Sequence, residues 1–324
     1  MNYQRNENSV SFRIRFWLLG LLTLSGLILM VSHIGELEHF AALVRRAEPG
    51  WLVLALVLQV LTYACVAAVW YLPLRHVGLR QSFWSLIPLG VAKLFADQSM
   101  PSGGMSGTAF FIAALNRRGI PNEMCMATLL LSMVAFYGTY VLAAVIALSL
   151  LYFHHALDVW IVLFALLFSL VAVGIPSGAF WLRSIKDKRR WDFVMRIPGL
   201  SSLMQWIANA PGALLRSPSL ILATAFFHGM VFLLDAATLW VMMHVVGAPI
   251  SFWIAFPSFM FASMVATIGP IPLGLGTFEV TCVTLLGVMG VPIEAALGAT
   301  ILLRGFTVWL PMLPGMWLAR WALR

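Results

Sequence analysis

Six apolar runs, at about 16–33, 51–72, 125–152, 158–182, 219–245 and 293–319, limit what this chain can fold into more than any other feature. A helix of roughly 20 apolar residues crosses the ~30 Å hydrocarbon core of a bilayer, so each run predicts a membrane span. Only 10% of the residues are charged, against about 25% in a soluble domain. The sequence therefore predicts an all-α integral membrane protein, one transmembrane domain over residues 1–324, and excludes a water-soluble enzyme. The first run follows Arg13 and Arg15 like a signal peptide, but no convincing small-residue cleavage site precedes Glu36, so it reads as a retained anchor.

The formal net charge of +8 would suit nucleic acid if it were clustered, but the basic residues fall mainly in short segments between spans. With a cytoplasmic N-terminus carrying Arg5, Arg13 and Arg15, six crossings return the C-terminus with Arg320 and Arg324 to the same side. Sixteen of the 20 Lys and Arg residues then lie inside. Arg45 and Arg46 lie outside, and Lys93 and Arg304 remain within apolar stretches. Cys65, Cys125 and Cys282 also lie in apolar segments, without metal-ligand spacing, and read as small buried residues. No metal, cofactor or nucleic-acid partner is expected.

This topology holds only if two further apolar regions, 82–118 and 251–290, enter and leave on one side. Their arms 82–96 and 278–290 are about 20 Å long, short of a full crossing. Between the arms lie DQSMPSGGMSGT (97–108) and IGPIPLGLGT (268–277), where Pro101, Pro270 and Pro272 with neighbouring glycines break a helix. Irregular backbone at membrane depth survives only beside protein or a water-filled cavity. The expected fold is thus about six transmembrane helices plus two re-entrant broken-helix hairpins.

The two regions also repeat one another. Val77, Gly78, Ser82, Phe83, Trp84 and Pro88 recur 169 residues later as Val246, Gly247, Ser251, Phe252, Trp253 and Pro257. After a two-residue shift, Pro101, Gly103, Gly119, Pro121 and Glu123 recur as Pro272, Gly274, Gly290, Pro292 and Glu294. Chance identity in a biased composition favours Leu and Val, whereas these matches fall on Trp, Pro and Gly. The first unit spans 51–152 and the second 219–322, joined by a basic connector at 183–218. That connector reads either as an interfacial helix on anionic headgroups or as an ordinary positive-inside loop. An odd number of crossings between the units predicts opposite orientations, an inverted repeat whose broken helices meet near the midplane, as in secondary transporters.

The stretches PSGGMSG…LNRRGIP (101–121) and PIPLGLGTFE…GVMGVPIEAALGATILLR (270–304) resemble the lysylphosphatidylglycerol synthase transmembrane-region family, also labelled flippase-like. The resemblance covers about residues 12–322. It implies kinship with the membrane part of the multiple peptide resistance factor and movement of aminoacylated phosphatidylglycerol between leaflets. The chain ends at Arg324 without a soluble aminoacyl-transferase region after the last span, so lysyl-lipid synthesis is not expected of it. Thr108 stands where many relatives carry an acid, which weakens any headgroup preference carried over.

Ionisable groups inside spans are costly and generally face a partner or cavity. They are Lys93 and Asp97 in the first hairpin, His228 and Asp235 in the fifth run, Glu279 in the second hairpin, and Arg304 in the sixth run. Lys93 and Asp97, four apart, can pair on one helix face or contact a headgroup. Arg304 keeps its proton and needs an acid or a phosphate; Glu279 and Asp235 are the nearest acids by depth. One reading has Arg304 and helix N-termini after Gly103–Gly104 and Gly274–Gly276 holding a lipid phosphate, with Glu279 or Asp235 answering the headgroup. The other is a structural Arg–carboxylate pair locking the two halves. His228 and Asp235 share a helix face and suit either a proton relay or an interior hydrogen bond. Glu123 and Glu294 open helices, where an acid complements the positive end. His33, His39, His154 and His155 lie near outer loops as solvated residues.

The leading function is a lipid flippase or scramblase in a bacterial inner membrane, with its lipid, a lipid-synthesising enzyme and a second copy of the chain as the partners to consider. The alternatives are a proton-coupled small-solute or isoprenoid-lipid phosphate transporter resembling the DedA-type proteins, and a membrane-embedded lipid transferase. Against the last, no nucleophile–base pair or glycine-rich nucleotide motif stands out.

Overall fold

A computed structural model describes residues 48–99, 105–184, 212–268 and 274–322. The first predicted span, the breaker residues Pro101, Gly103, Gly104, Pro270 and Pro272, the Asp97 side chain and nearly all of the connector lie outside the described residues.

Every described element is helical. In chain order they are α1 (Pro49–His76), α2 (Phe83–Ser99), α3 (Met105–Arg117), α4 (Asn122–Phe153), α5 (Val159–Ser184), a single turn at Gly212–Leu215, α6 (Pro218–Val245), α7 (Phe252–Ile268), α8 (Thr277–Val288) and α9 (Ile293–Arg304). α9 runs on through a π-helical segment, Gly305–Trp309, into α10 (Leu310–Ala322). Five of these stretches are long and apolar enough to cross a membrane: α1, α4, most of α5, α6, and Ile293–Arg320. They match the five later apolar runs. The two regions predicted as hairpins each form two shorter apolar helices, α2 with α3 and α7 with α8.

The sequence explains the boundaries. Pro49 and Pro218 open α1 and α6 at positions where a missing N–H costs nothing, and Pro121 and Pro292 stand just before α4 and α9. α1 ends in a Schellman cap: Leu79 N–H donates to Leu74 C=O, Gly78 N–H donates to Arg75 C=O, and Gly78 takes φ +79°. α6 ends identically, with Ala248 to Met243, Gly247 to His244, and Gly247 at φ +77°. Gly119 and Gly290 close α3 and α8 in the same way, at φ +79° and +87°.

Two series of elements therefore have the same dimensions. α1 and α6 each have 28 residues, and α2 and α7 each have 17 with proline at the sixth position. α3 has 13 residues and α8 has 12. The packing is reciprocal too. α1 and α6 form the most extensive helix pair, α2 lies along α10, and α7 lies along α4. Thus each short arm packs on the final span of the other series. Gly315 makes the α2–α10 approach close, for a Cβ there would come within 2.7 Å of Phe95 Cβ. α5 stands apart: Ala165, Phe168 and Ala172 are buried, while Trp160, Leu163, Leu166 and Leu170 are exposed. An apolar face of that extent suits lipid rather than water.

Candidate functional site

The start of α8 is built around Gly276, which takes φ +78° as its N-cap. Thr277 Oγ1 donates back to Gly274 C=O at 2.9 Å, tying the turn to the helix. Gly274, at φ +62°, is pressed against the Ala266 Cα at what would be 2.9 Å from a Cβ, so α7 and the turn leave no room for a side chain. This holds the first turn of α8 against the end of α7. Glu279 lies in that first turn, where the helix N-terminus favours negative charge.

Arg304 meets it from the end of α9. Its Nε lies 2.7 Å from Glu279 Oε1, with the two side chains 11% and 12% exposed. The guanidinium carbon also lies 5.2 Å from the centre of the Phe278 ring, within cation–π range. The Nε–H is not aligned on Oε1 as a hydrogen bond, and neither Glu279 oxygen has a hydrogen-bond partner among the described residues. The contact is an ion pair. The π-helical segment begins at the next residue, Gly305. Such insertions are frequent at functional sites, and sequence reading gave no signal for this one.

Arg304 thus chooses Glu279 rather than Asp235. Both partners belong to the second series, so the pair does not lock the two halves, as the structural reading had expected. Asp235 is one of several groups that make polar contacts between the halves, beside Tyr140, which meets Ser263 and Thr267, and Thr139, which donates to Ala225 C=O. Asp235 Oδ1 lies 3.4 Å from Gln59 Nε2 and 3.4 Å from Thr62 Oγ1, both on α1, and Gln59 Nε2 also reaches Thr238 Oγ1 at 3.3 Å. Gln59 and Thr62 were missed because they are neutral, although a glutamine inside an apolar run is itself a signal. His228, seven residues earlier, bonds Ser132 on α4 at 3.1 Å and contacts Phe136 edge-on. The two groups face different helices, which favours the interior-hydrogen-bond reading of His228 over a direct relay.

Of the first hairpin, Lys93 is half-buried on α2, while its pairing with Asp97 lies outside the described residues. α3 is described from Met105 onward, and Gly103 and Gly104 before it lie outside the described residues. Arg118 closes the mouth of this hairpin, with Nη1 3.0 Å from Ser85 Oγ; burial pushes its guanidinium down from its usual value, although arginine stays charged. Glu123 and Glu294 lie exposed in the first turns of α4 and α9, where they complement the helix dipole.

Residues 17–315 match the family model described as the lysylphosphatidylglycerol synthase TM region. The chain belongs to that family. A curated relative, the UPF0104 membrane protein MJ1595 of Methanocaldococcus jannaschii, is 18% identical over 310 residues, 89% of this chain and 89% of its own. The protein is accordingly a multi-pass membrane protein of the lysylphosphatidylglycerol synthase TM-region family, and its buried Arg304–Glu279 pair lies within the matched residues.

Proposed function

We propose that the protein moves a phospholipid between the leaflets of a bacterial inner membrane, as a flippase or scramblase. The observation that carries this reading is the buried Arg304–Glu279 pair at the opening turn of α8. A guanidinium cannot shed its charge in the membrane, and a planar fork of donors suits a phosphate diester. The first N–H groups of α8 have no partner within the helix and add donors beside it. Arriving phosphate competes with Glu279 for Arg304, and the released carboxylate then answers a cationic or hydroxyl headgroup. The family name makes aminoacylated phosphatidylglycerol the first headgroup to try.

In this reading, α2–α3 and α7–α8 are re-entrant hairpins entering from opposite faces. The N- and C-termini are cytoplasmic, and the two series are inverted copies around a shared cavity. Their equal lengths, matching glycine caps and reciprocal packing support that arrangement. The test is reconstitution into liposomes carrying fluorescent lipids of different headgroups, read as accessibility from one leaflet. Acceleration for at least one headgroup is expected, with Arg304→Ala and Glu279→Ala each abolishing it in folded protein. Folded wild-type protein that accelerates no lipid refutes the proposal.

A further inference from the structure

Asp235 is the one carboxylate that joins α6 to its counterpart α1, and the hydrogen bonds around it can be made by either its ionised or its protonated form. A threonine hydroxyl has one proton to give. Thr62 Oγ1 lies 3.1 Å from Leu58 C=O, one turn back on its own helix, but 3.4 Å from Asp235 Oδ1. Thr238 Oγ1 likewise donates to Leu234 C=O at 2.9 Å. Each hydroxyl thus has a backbone carbonyl as its shorter partner, and Thr62 Oγ1 has Asp235 Oδ1 as a second, longer acceptor. Gln59 Nε2 has two protons, one for Thr238 Oγ1 and one for Asp235 Oδ1. When the Thr62 proton goes to the nearer Leu58 C=O, the contact between Thr62 Oγ1 and Asp235 has two oxygens and no hydrogen. A proton on the Asp235 carboxyl supplies it, and the chain Asp235 → Thr62 → Leu58 becomes complete.

The charge balance favours the protonated form. No cation among the described residues comes within ion-pair distance of Asp235, since the Arg304 guanidinium is held by Glu279. The titratable groups facing Asp235 from its neighbours are Tyr63 and Cys65 on α1 and Tyr140 on α4. All are neutral donors at ordinary pH. α7 contributes no titratable residue, its nearest polar groups being Ser263 and Thr267 around Tyr140. On its own helix His228 is engaged with Ser132 and His244 with Trp240 C=O. α9 contributes only Arg304 and the exposed Glu294. An ionised carboxylate with neutral partners alone is costly inside a span.

We infer that Asp235 is a proton-binding site between α1 and α6, protonated while the two helices are packed and ionised when they part and admit water. The site requires only the reversible step COO⁻ + H⁺ → COOH. Its sign is fixed: low pH favours the packed arrangement, high pH the hydrated one. That the proton is coupled to lipid movement rests on the transport reading above; the site itself does not.

Two measurements on the full-length, lipid-reconstituted protein separate these statements. The first is infrared difference spectroscopy across a pH titration, which should show a protonated-carboxyl C=O band growing as pH falls. Loss of that band in Asp235→Asn and a frequency shift in Thr62→Val, which removes the acceptor, are expected. A band that survives Asp235→Asn overturns the proposal, and if that variant does not fold, a band unmoved by Thr62→Val overturns it equally. The second is the pH dependence of lipid translocation, which one titrating group changes by up to about tenfold per pH unit. Asp235→Asn should flatten this profile. A wild-type rate that follows sodium and ignores pH overturns the coupling. A band that behaves as expected in protein that moves no lipid leaves the proton site standing and refutes the cargo.

Discussion

Glu279→Gln removes one charge and almost no volume from a contact whose partners are 11% and 12% exposed. Breaking a buried ion pair by neutralising one member costs about 3–5 kcal/mol, because the remaining charge stays buried without its counterion. A tenth of each side chain still reaches the surface, so the lower end applies, about 3 kcal/mol or roughly a hundredfold in the folding equilibrium. The Phe278 ring recovers only part of this for Arg304. Neutralising Arg304 as well removes the stranded charge, so Glu279→Gln with Arg304→Gln should regain most of the loss. Equilibrium unfolding in mixed micelles on the wild type, both single variants and the double variant measures the coupling. Lipid translocation is measured on the same four proteins. A single-variant cost under about 0.5 kcal/mol contradicts the buried pair. A double variant that regains stability and also moves lipid at the wild-type rate leaves Arg304 no part in binding phosphate.

The backbone makes further predictions. Gly315→Ala puts a methyl 2.7 Å from Phe95 Cβ and 3.1 Å from Val91 C=O, so α2 and α10 must separate; overpacking of this kind costs about 1–3 kcal/mol, and an unchanged melting temperature rejects the close approach. Gly78→Ala and Gly247→Ala meet no neighbour within 4 Å but sit at φ +79° and +77°, so each should cost about 1–2 kcal/mol by denaturant titration. Values differing by more than the cost itself would show that the two caps are not equivalent. Gly50→Ala, inside the first turn of α1 with open space around it, should instead be neutral or stabilising.

Much of the scaffold was legible because membrane physics writes it in one dimension. Apolar runs fixed α1, α4, α5, α6 and the helix from Ile293 to within a few residues, since each must satisfy its backbone internally over one bilayer thickness. Gly78, Gly119, Gly247 and Gly290 marked the ends because a left-handed residue leaves a glycine in the sequence. The pairing of Arg304 with Glu279 was half legible: depth alone gave two acids, and only the turn of α8 about Gly276 selected one. The π-helical segment was not legible, since Gly305–Trp309 has an ordinary helical composition and its extra residue per turn follows from packing. Nor was the Asp235 site, because Gln59 and Thr62 are near it only through the pairing of α1 with α6.

Equal scaffolds carry unequal chemistry, and this bears on how a two-sided mechanism would work. At the offsets that align the two series, Asp235 corresponds to Val66, and Glu279 corresponds to Thr108. Conversely, Lys93 and Asp97 in α2 correspond to Ala262 and Ala266 in α7. Arg304 falls against the apolar Met133–Ala135 stretch of α4. Geometry that can exchange roles between faces requires matched lengths and caps, which both series have. Ligand recognition would require no such match, because under the proposed function one central site would be seen from both sides. Duplicating Lys93, Asp97, Asp235, Glu279 and Arg304 would double the cations and the acids in one membrane interior, each needing its own counterion. Dividing them leaves each series its own ionisable groups, with Lys93 and Asp97 on a first-hairpin arm and Glu279 and Arg304 at the start of α8 and the end of α9. A Thr108→Glu exchange would add the second acid, and under the proposed function it should slow lipid translocation in liposomes rather than speed it.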